Sequence, residues 1–292
     1  MKPTIITPQL VAQWLRPRPA NSHKGDYGRA LLVAGSRGMM GAALLSARAC
    51  MRSGVGLLTV RVPSCGYHIL QLGIPEAKCD SDTHPEHHTH IDIPAGTEVI
   101  GIGPGLGQHA ETQQALHELL LSLRTDGTSA HWRGAVSDQG HCRGWVFDAD
   151  ALNILALHPD WLELLPPGSI LTPHPGEMQR LGGDPRRLAE KYRLVVVLKG
   201  HQTQVFTPDG QFTNTLHGNA GMAVGGSGDV LTGIILALLA QHYPPEQAAA
   251  LGVWLHALAG DLALADGNSM ESLLPSDIIG HLGAAFNAAH EH

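Results

Sequence analysis

The stretch that decides the fold is ALLVAGSRGMMGAALLSARACMRSGVGLLTVRVP, residues 30–63. It opens with ALLVAG at 30–35, a short apolar run ending in glycine, which predicts a buried strand. GAALLSARACMRSG at 41–54 places small and apolar residues at helical spacing and closes on a glycine. LLTVRVP at 57–63 predicts a second strand, which a proline ends. Strand, helix and strand in this order favour an α/β fold with parallel strands.

The same alternation continues through the first two thirds of the chain. Further strands are predicted within 98–107, 144–152, 169–178 and 194–200, a helix at 110–123, a hairpin at 203–216 that turns at PDG, and loops at 80–96 and 124–144. Three helices are predicted after Gly228. Because continuously apolar strands are typical of burial on both faces, we expect a three-layer α/β/α sandwich with a mainly parallel central sheet. No linker divides the chain, so we expect one domain over residues 1–292.

Composition and charge exclude several classes of protein. The 292 residues carry a formal net charge of -7 with neutral histidines, and their 43% hydrophobic and 15% charged content is an ordinary globular balance. An acidic chain gains no electrostatic help in binding nucleic acid or an anionic membrane surface, so neither partner is expected. A phosphate ligand would have to be bound by a few well-placed donors.

The cysteines and the N-terminal sequence indicate the compartment. Cys50, Cys65, Cys79 and Cys142 form no C-x-x-C pair and show no zinc spacing. The first residues, MKPTIITPQL, lack the apolar core of a signal peptide. We also expect no membrane span, since no stretch approaches ~20 consecutive apolar residues. Together these features predict a reduced, cytoplasmic protein with free thiols.

Polar segments follow one predicted strand after another. They are GPGLG at 103–107, DADALN at 148–153, TPHPGE at 172–177 and KG at 199–200. Each alone is compatible with ordinary turn chemistry, and Asp148 and Asp150 can be turn residues or site residues. Ligands of doubly wound sheets bind beyond the carboxyl ends of the strands, so the whole series predicts a site at that edge.

A glycine cluster with one carboxylate, GMAVGGSGDVLTGII at 221–235, directly precedes an apolar helix. Unpaired amides and the positive end of the helix dipole make such a helix start an anion site. Asp229 can be a simple helix cap, but a cap does not explain the three glycines before it. An aspartate beside an anion site can instead take a proton from a hydroxyl while a phosphoryl group is transferred to it. The chain has no Walker loop and no well-placed G-x-G-x-x-G.

Seven segments carry a family resemblance. They are KGDYGRALLVAGS (24–36), GAALLSARACMRSGVGLLTV (41–60), GPGLG (103–107), DADALN (148–153), TPHPGE (172–177), KGHQT (199–203) and GNAGMAVGGSGDVLTG (218–233). From about Lys24 to Asp277 the chain resembles the dehydratases that repair hydrated NADH and NADPH, which belong to the ribokinase-like superfamily. TPHPGE and the glycine–Asp segment are specific in combination, whereas either alone would admit other kinases of the fold. The resemblance implies a ribokinase-like sandwich.

The resemblance also implies an activity, the nucleotide-driven return of the S epimer of the NAD(P)H hydrate to NAD(P)H. Bacterial members typically use ADP and eukaryotic members ATP, and the sequence alone does not decide between these phosphoryl donors. Nor does it rank the NADH hydrate against the NADPH hydrate. Phosphorylation of the C6 hydroxyl would convert a poor leaving group into a good one. The ring nitrogen would then expel phosphate and restore the double bond.

The resemblance assigns roles residue by residue. Asp229 resembles the general base, and Gly226, Ser227 and Gly228 resemble the anion hole around the transferred phosphoryl group. Ala42, Gly105 and His174 match positions that contact the hydrate, with Ala43 as the alternative to Ala42. Lys199, Gly200, His201, Gln202 and Thr203 match the segment that binds nucleotide phosphates, and Gly228 also touches the nucleotide. Asn153 and Glu177 are candidates for ordering Mg²⁺ or its waters.

The chain departs from the family pattern at two places in the glycine loop. Val224 and Ser227 stand where the family favours threonine; serine keeps the hydroxyl, whereas valine removes one near the phosphates. The companion epimerase domain common in the family has no room before Lys24, so we expect a chain that acts on the S epimer alone. Relatives imply a homo-oligomer, a tetramer.

Two alternative functions stay open. A small-molecule alcohol kinase of this fold, acting on a thiazole alcohol or a sugar, would share the glycine–Asp loop, although TPHPGE argues against it. A nucleotide-binding module without catalysis would not need Asp229.

The histidines His84, His87, His88 and His90 suggest a metal site, but an exposed polar loop without a matching carboxylate is the favoured interpretation. His174 and Lys199 can also be an ordinary loop histidine and a solvated strand end.

Overall fold

The computed structural model describes residues 2–123 and 144–291. The predicted loop at 124–144 therefore lies outside the described residues except for Gly144, and so does Cys142. Within the described ranges, the strands are β1 (Thr4–Ile5), β2 (Arg29–Val33), β3 (Leu57–Val62), β4 (Lys78–Ser81), β5 (Val99–Ile102), β6 (Gly144–Phe147), β7 (Ile170–Leu171), β8 (Val195–Leu198), β9 (Gln204–Thr207) and β10 (Gly210–Thr213). The helices are α1 (Pro8–Trp14), α2 (Met40–Arg52), α3 (Tyr67–Gly73), α4 (Ala110–Ser122), α5 (Asp150–Leu157), α6 (Pro175–Arg180), α7 (Pro185–Tyr192), α8 (Ser227–Ala240), α9 (Pro245–Ala265) and α10 (Pro275–His290).

All of these strands join one sheet in the order β1-β10-β9-β8-β7-β6-β5-β2-β3-β4. From β8 to β4 every neighbouring pair is parallel, and among the described strands only β9 runs in the opposite direction. The predicted hairpin is β9 and β10, which turn through Pro208 and Asp209. The mainly parallel sheet predicted from the apolar runs is thus confirmed.

Two hydrophobic cores cover the two faces of the sheet. Alternate residues of β2 face opposite sides: Leu32 belongs to the core that includes residues of α2, α8, α9 and α10, whereas Leu31 belongs to the core that includes residues of α4, α5 and α7. Small residues allow α2 and α8 to pack closely, since a side chain at Gly233 would meet Ser46 O at 2.1 Å. That close packing holds the start of α8 over the sheet and forms the expected three layers.

The structure corrects the sequence predictions at several elements. Within 169–178, where a strand was predicted, only Ile170–Leu171 form β7, and Pro175 begins α6, since proline is favoured at the first helical position. β4 is a polar edge strand that overlaps the start of the predicted 80–96 loop. β1, α1, α3 and α7 were not predicted, because they are short and lack a long apolar run.

By length and composition alone, one described helix is long and apolar enough to cross a membrane. α9 has 21 residues and a mean hydropathy of 1.5 over an 18-residue window. However, 72% of that window is buried inside the structure, where α9 packs between α8 and α10. Such burial is typical of a core helix in a layered fold. Length and composition alone do not distinguish a core helix from a membrane-spanning one.

Candidate functional site

The candidate site lies at the carboxyl edge of the parallel strands. The register pairs Ile102 with Phe147 and Phe147 with Leu171, so these strands end side by side. Backbone bonds continue past them, from Asp148 N to Ile102 O at 3.0 Å and from Thr172 N to Phe147 O at 3.1 Å. The polar segments that follow these strands therefore emerge together, where ligands of a doubly wound sheet bind.

The GPGLG segment after β5 packs against the start of α2. Gly105 has φ +60°, and a side chain there would meet Met39 O at 2.6 Å and Ala42 Cβ at 3.0 Å. Ala42 is partly exposed, whereas Ala43 is fully buried in the core. The structure thus brings Ala42 and Gly105 together and favours Ala42 over Ala43 as a residue that a ligand can reach.

α8 begins in the glycine loop without a side-chain cap. Its N-cap residue is Gly226 at φ +97°, a left-handed conformation that favours glycine. The alternative that Asp229 caps the helix is therefore wrong. The amide of Ser227 donates to Val224 O, whereas the amides of Gly228 and Asp229 form no hydrogen bond within the described ranges. These two amides are open to an anion at the positive end of the helix dipole.

Asp229 carries a strongly perturbed carboxyl group. Burial raises the pKa of Asp229 to about 7, with the negative charge of Asp148 adding to the effect and Lys199 opposing it. No hydrogen bond, and no ion pair within 4.0 Å, reaches its carboxylate from the part of the chain that the structure describes. A carboxylate with a pKa near neutrality and no protein partner is suited to take a proton from a bound hydroxyl.

Beside Asp229, Lys199 and Asp148 form a buried ion pair. Lys199 Nζ lies 2.7 Å from Asp148 Oδ1 and 3.8 Å from Glu177 Oε2. Burial alone would lower the pKa of Lys199, but the two carboxylates outweigh it and raise that pKa. Thr232 Oγ1 donates to the other Asp148 oxygen at 2.7 Å. A side chain at Gly228 would lie 3.2 Å from Lys199 Nζ, so this cation rests against the glycine loop.

The two aspartates that could be turn residues take different positions. Asp148 is 1% exposed and holds Lys199, which makes it part of the site. Asp150 accepts from Gly107 N at 2.9 Å and from Asn153 Nδ2 at 3.3 Å, so it ties the loop after β5 to α5. Only Asp148 therefore bears directly on the cation beside the glycine loop.

His174 forms the N-cap of α6 through its side chain. Its Nδ1 accepts from the amides of Gly176 at 3.0 Å and Glu177 at 3.2 Å, while Glu177 Oε2 accepts from His174 N at 2.8 Å. Because Nδ1 is an acceptor, a neutral His174 carries its proton on Nε2. The side chain is 50% exposed, so that donor can reach a ligand and still leave the cap intact. His174 is thus more than an ordinary loop histidine, and its contact with substrate stays a prediction.

The segment from Lys199 to Thr203 joins β8 to β9. Thr203 Oγ1 accepts from Gly200 N at 3.3 Å and donates to Gly200 O at 3.1 Å, which fixes a tight turn. Gly200, His201 and Gln202 are exposed on this turn. Lys199 itself points to Asp148 and is 19% exposed, so it is not a merely solvated strand end. Phosphate binding by the segment stays a prediction.

The two candidate magnesium residues differ in how free their oxygens are. Asn153 Oδ1 accepts from Arg180 Nη2 at 2.7 Å, so that oxygen already has a charged partner. Burial raises the pKa of the Glu177 carboxyl, with the positive charge of Lys199 opposing the shift. Carboxylate oxygens near a phosphate position suit Mg²⁺, which commonly takes one or two protein carboxylates together with phosphate oxygens. Glu177 Oε2 already accepts from His174 N at 2.8 Å, which leaves Oε1 as its freer oxygen, and the roles of both residues toward Mg²⁺ stay predictions.

Sequence reasoning missed His256 on α9. Its Nε2 lies 3.3 Å from Ser227 Oγ in the first turn of α8. Burial lowers the pKa of His256 to about 4, so the ring is neutral near pH 7 and can hold the Ser227 hydroxyl in one orientation. Nothing in its local sequence, WLHALAG at 254–260, distinguishes it from a core residue of an apolar helix.

Asp261 was also missed. Its carboxylate accepts from Gly218 N and from Asn219 Nδ2, each at 2.9 Å. It thereby ties the segment that leads into the glycine loop to α9. Burial acts to raise the pKa of Asp261, but its hydrogen bonds with His217, Asn219 and Gly218 lower it overall.

The histidine-rich segment differs from the expected exposed polar loop. His88 is fully buried, and its Nε2 lies 3.3 Å from Ala34 O and 3.0 Å from Gly35 O. His84 and His87 also meet a carboxylate, that of Glu111 on α4. The expectation that no carboxylate matches these histidines is therefore wrong.

A surface cavity of about 610 Å³ lies elsewhere. Its lining includes Gly168, Val195 and Thr207, which lie at the ends of β7, β8 and β9 opposite to those that lead to the site. Since ligands of such sheets bind beyond the carboxyl ends of the parallel strands, we assign the site to the polar cluster around Asp229 and not to this cavity.

Comparison with known proteins gives one consistent family. A family profile described as NAD(P)H-hydrate dehydratase matches residues 30–282. A bifunctional NAD(P)H-hydrate repair enzyme of Vibrio cholerae is 38% identical over 301 residues, which cover 96% of this chain and 55% of that protein. The chain thus spans about half the length of the bifunctional relatives that it matches.

Shorter relatives match along most of their length. The ADP-dependent (S)-NAD(P)H-hydrate dehydratase of Bacillus subtilis is 34% identical over 284 residues, covering 93% of this chain and 94% of that protein. The crystal structure of the ADP/ATP-dependent NAD(P)H-hydrate dehydratase from the same organism, co-crystallized with ATP/Mg²⁺, has a TM-score of 0.79. It is 31% identical and covers 99% of each chain. This likeness confirms the predicted ribokinase-like architecture.

Proposed function

The chain belongs to the NAD(P)H-hydrate dehydratase family, and we propose on that premise that it converts the S epimer of hydrated NADH or NADPH back to the reduced cofactor. A nucleotide, ADP by analogy with the shorter relatives, supplies the phosphoryl group. The observation that carries the proposal is the position of Asp229. Its carboxylate has a pKa of about 7 and no protein partner among the described residues, and it adjoins two open amides and a fixed lysine.

The first step is phosphoryl transfer to the C6 hydroxyl of the hydrate. Asp229 takes the hydroxyl proton as the oxygen attacks the terminal phosphorus of the nucleotide, and the nucleotide leaves one phosphate shorter. The open amides of Gly228 and Asp229 stabilise the negative charge on the transferred group, and Lys199 adds a positive charge beside them. The Ser227 hydroxyl, held by His256, completes this side of the anion hole.

The second step is elimination. The C6–O bond breaks, phosphate departs, and the lone pair of the ring nitrogen drives the electron flow. Loss of the C5 proton then restores the C5–C6 double bond of the dihydronicotinamide. The net reaction consumes hydrate and ADP and yields NAD(P)H, AMP and phosphate, so the enzyme is a hydro-lyase that works as a kinase with an unstable product.

We assign the remaining ligands to the edge of the sheet on the same grounds. Ala42, Gly105 and His174 would contact the hydrate, and the exposed turn from Gly200 to Thr203 would contact nucleotide phosphates. Mg²⁺, when bound, would neutralise phosphate charge, and Glu177 would help to order the ion or its waters. Asn153, whose oxygen bonds Arg180, would contribute less.

The proposal extends to how the protein works in the cell. We propose a single dehydratase domain over residues 1–292 in the cytoplasm, where its cofactor substrates are used. The Cys50, Cys65 and Cys79 thiols are unpaired, which is compatible with a reducing compartment. A homotetramer is proposed from the resemblance to the family.

A recovery assay tests the proposal. Purified protein is mixed with NADH hydrate, Mg²⁺ and either ADP or ATP, and the return of dihydronicotinamide absorbance is followed. We expect recovery that requires a nucleotide and is lost in Asp229→Asn, with nucleotide binding retained in that variant. No recovery with either nucleotide, or full recovery in Asp229→Asn, would overturn the proposal. A screen of alcohols for a stable phosphorylated product would then test the kinase alternative.

A further inference from the structure

We propose that His84, His87 and Glu111 form a binding site for a zinc-like divalent cation, separate from the nucleotide site. Each residue offers one ligand atom, and these atoms all lie within 4.8 Å of one another. His87 Nε2 is already 2.6 Å from Glu111 Oε2. Two imidazoles and one carboxylate are the donor set of three-ligand zinc sites, which keep a fourth position open.

A third imidazole adjoins the site. The His87 ring stacks on that of His109, with ring centroids 3.8 Å apart, and meets the tilted ring of His84 at 3.7 Å. His109 Nδ1 lies 3.7 Å from Glu111 Oε2. His109 Nδ1 also accepts from Glu111 N at 3.4 Å as the N-cap of α4, so this third ring lies beside the cluster with its Nδ1 already engaged. Imidazole nitrogen suits Zn²⁺, Ni²⁺ and Cu²⁺ better than Mg²⁺ or Ca²⁺, which separates this site chemically from the phosphate site.

The backbone that carries these ligands is fixed on several sides. His84 N donates to Asp82 Oδ1 at 2.9 Å, and the buried His88 ring contacts Gly35 O at 3.0 Å. Thr112 Oγ1 on α4 donates to His88 O at 2.9 Å, which links the histidine segment to the helix that carries Glu111. Because both ligand-bearing segments are held together, a cation meets a largely preformed site.

The two ring nitrogens of His84 differ in their partners. His84 Nδ1 accepts long hydrogen bonds from the amides of Glu86 at 3.2 Å and His87 at 3.3 Å. Coordination through Nδ1 would compete with both amides for the lone pair, whereas coordination through Nε2 would leave both hydrogen bonds intact.

Zinc titration of the untagged, chelator-treated full chain tests the proposal without any activity assay. A chromophoric chelator competes for Zn²⁺, and Co²⁺ absorption reports the coordination. We expect one Zn²⁺ per chain, with affinity weakened more than about tenfold by His87→Ala and by the conservative Glu111→Gln. His90→Ala is the matched control, because His90 lies in the same segment but pairs with Asp92 outside the cluster.

The outcomes are distinct. Unchanged zinc affinity in both His87→Ala and Glu111→Gln would overturn the proposal, as would the absence of stoichiometric binding by the wild type. Loss of binding in His90→Ala equal to that in His87→Ala would also overturn it, because it would indicate nonspecific histidine binding. Thermal unfolding of each variant establishes that the fold is retained.

Discussion

Lys199 Nζ lies 2.7 Å from Asp148 Oδ1, although the two residues are 51 positions apart in the chain. This ion pair sits beneath the glycine loop and sets the charge around Asp229. Asp148 raises the pKa of Asp229, and Lys199 lowers it. The proposed base and the proposed phosphate cation are thus electrostatically coupled, and a change at either partner of the pair should be measurable at Asp229.

The first prediction concerns the pH profile. With the pKa of Asp229 at about 7, activity should rise with pH through neutrality, because the base must be deprotonated. Asp148→Asn removes a negative charge and should therefore lower the pKa of Asp229. The rising limb of the pH profile should then move to lower pH. The substitution should also weaken nucleotide binding, since Lys199 loses its closest partner. The kcat/KM profiles of the variant and the wild type provide the measurement.

Asp150→Asn is a control for which we expect a smaller shift of the pH profile. Asp150 also raises the pKa of Asp229, but its effect ranks below those of Asp148 and Lys199. Its variant should therefore shift the limb less than Asp148→Asn does. An equal or larger shift in Asp150→Asn would contradict the assigned order of influences.

The second prediction concerns stability. The pKa of Asp229 is higher in the folded protein than its ordinary value of 3.8, so ionisation favours the unfolded chain. The resulting loss of stability develops as pH rises from about 4 to about 7 and is complete above that range. Asp229→Asn should therefore raise Tm by a few degrees at pH 8, because each kcal/mol gained in the free energy of unfolding raises Tm by about 2–4 °C. The gain in Tm should vanish at pH 4, and thermal unfolding at both pH values measures this difference. A gain in Tm that is independent of pH would contradict the burial of this charge.

The third prediction concerns the space that glycine leaves in the loop. In Gly228→Ala the new methyl group would lie 3.2 Å from Lys199 Nζ, which the ion pair with Asp148 holds in place. We expect nucleotide affinity to fall by about tenfold, roughly 1.4 kcal/mol, measured by calorimetry. Gly225→Ala is the matched control, because a side chain there meets nothing within 4 Å. Equal losses in the two variants would show that loop flexibility, and not contact with Lys199, is responsible.

The fourth prediction assigns His256 a positioning role that acts through Ser227. His256→Asn should lower kcat with little change in KM, because it releases the Ser227 hydroxyl, which we propose as part of the anion hole. Ser227→Ala should have a similar effect, and the double variant should be no worse than either single one. Since the pKa of His256 is about 4, its removal should leave the limb near neutrality unchanged. Additive losses in the double variant would show that His256 acts by another route.

Much of the fold could be predicted because its determinants are local. β2, α2 and β3 are each defined by one continuous apolar or helical pattern, and the structure places them as predicted. β4, with the sequence KCDS, is a polar edge strand that owes its conformation to pairing with β3. No local pattern identifies such a strand.

The site residues likewise divide into those that local motifs predict and those that depend on tertiary packing. The motifs located Asp229, the glycine loop and Lys199, and the strand register explains why they meet. Thr232 and Asp148, by contrast, are 84 positions apart, and their hydrogen bond exists only because α8 packs over β6. His256 and the Glu111 partner of the histidine cluster depend on tertiary packing in the same way, so sequence reasoning did not find them.

The central claim is that phosphorylation and elimination occur in one active site, and joint measurement of NADH and phosphate tests it most directly. NADH hydrate and ADP are incubated with the protein while dihydronicotinamide absorbance, AMP and inorganic phosphate are followed together. We predict equal amounts of NADH, AMP and phosphate at all times, with no lasting phosphorylated hydrate in the ³¹P spectrum. A stable phosphorylated product that accumulates without NADH would contradict the account and identify the protein as a kinase.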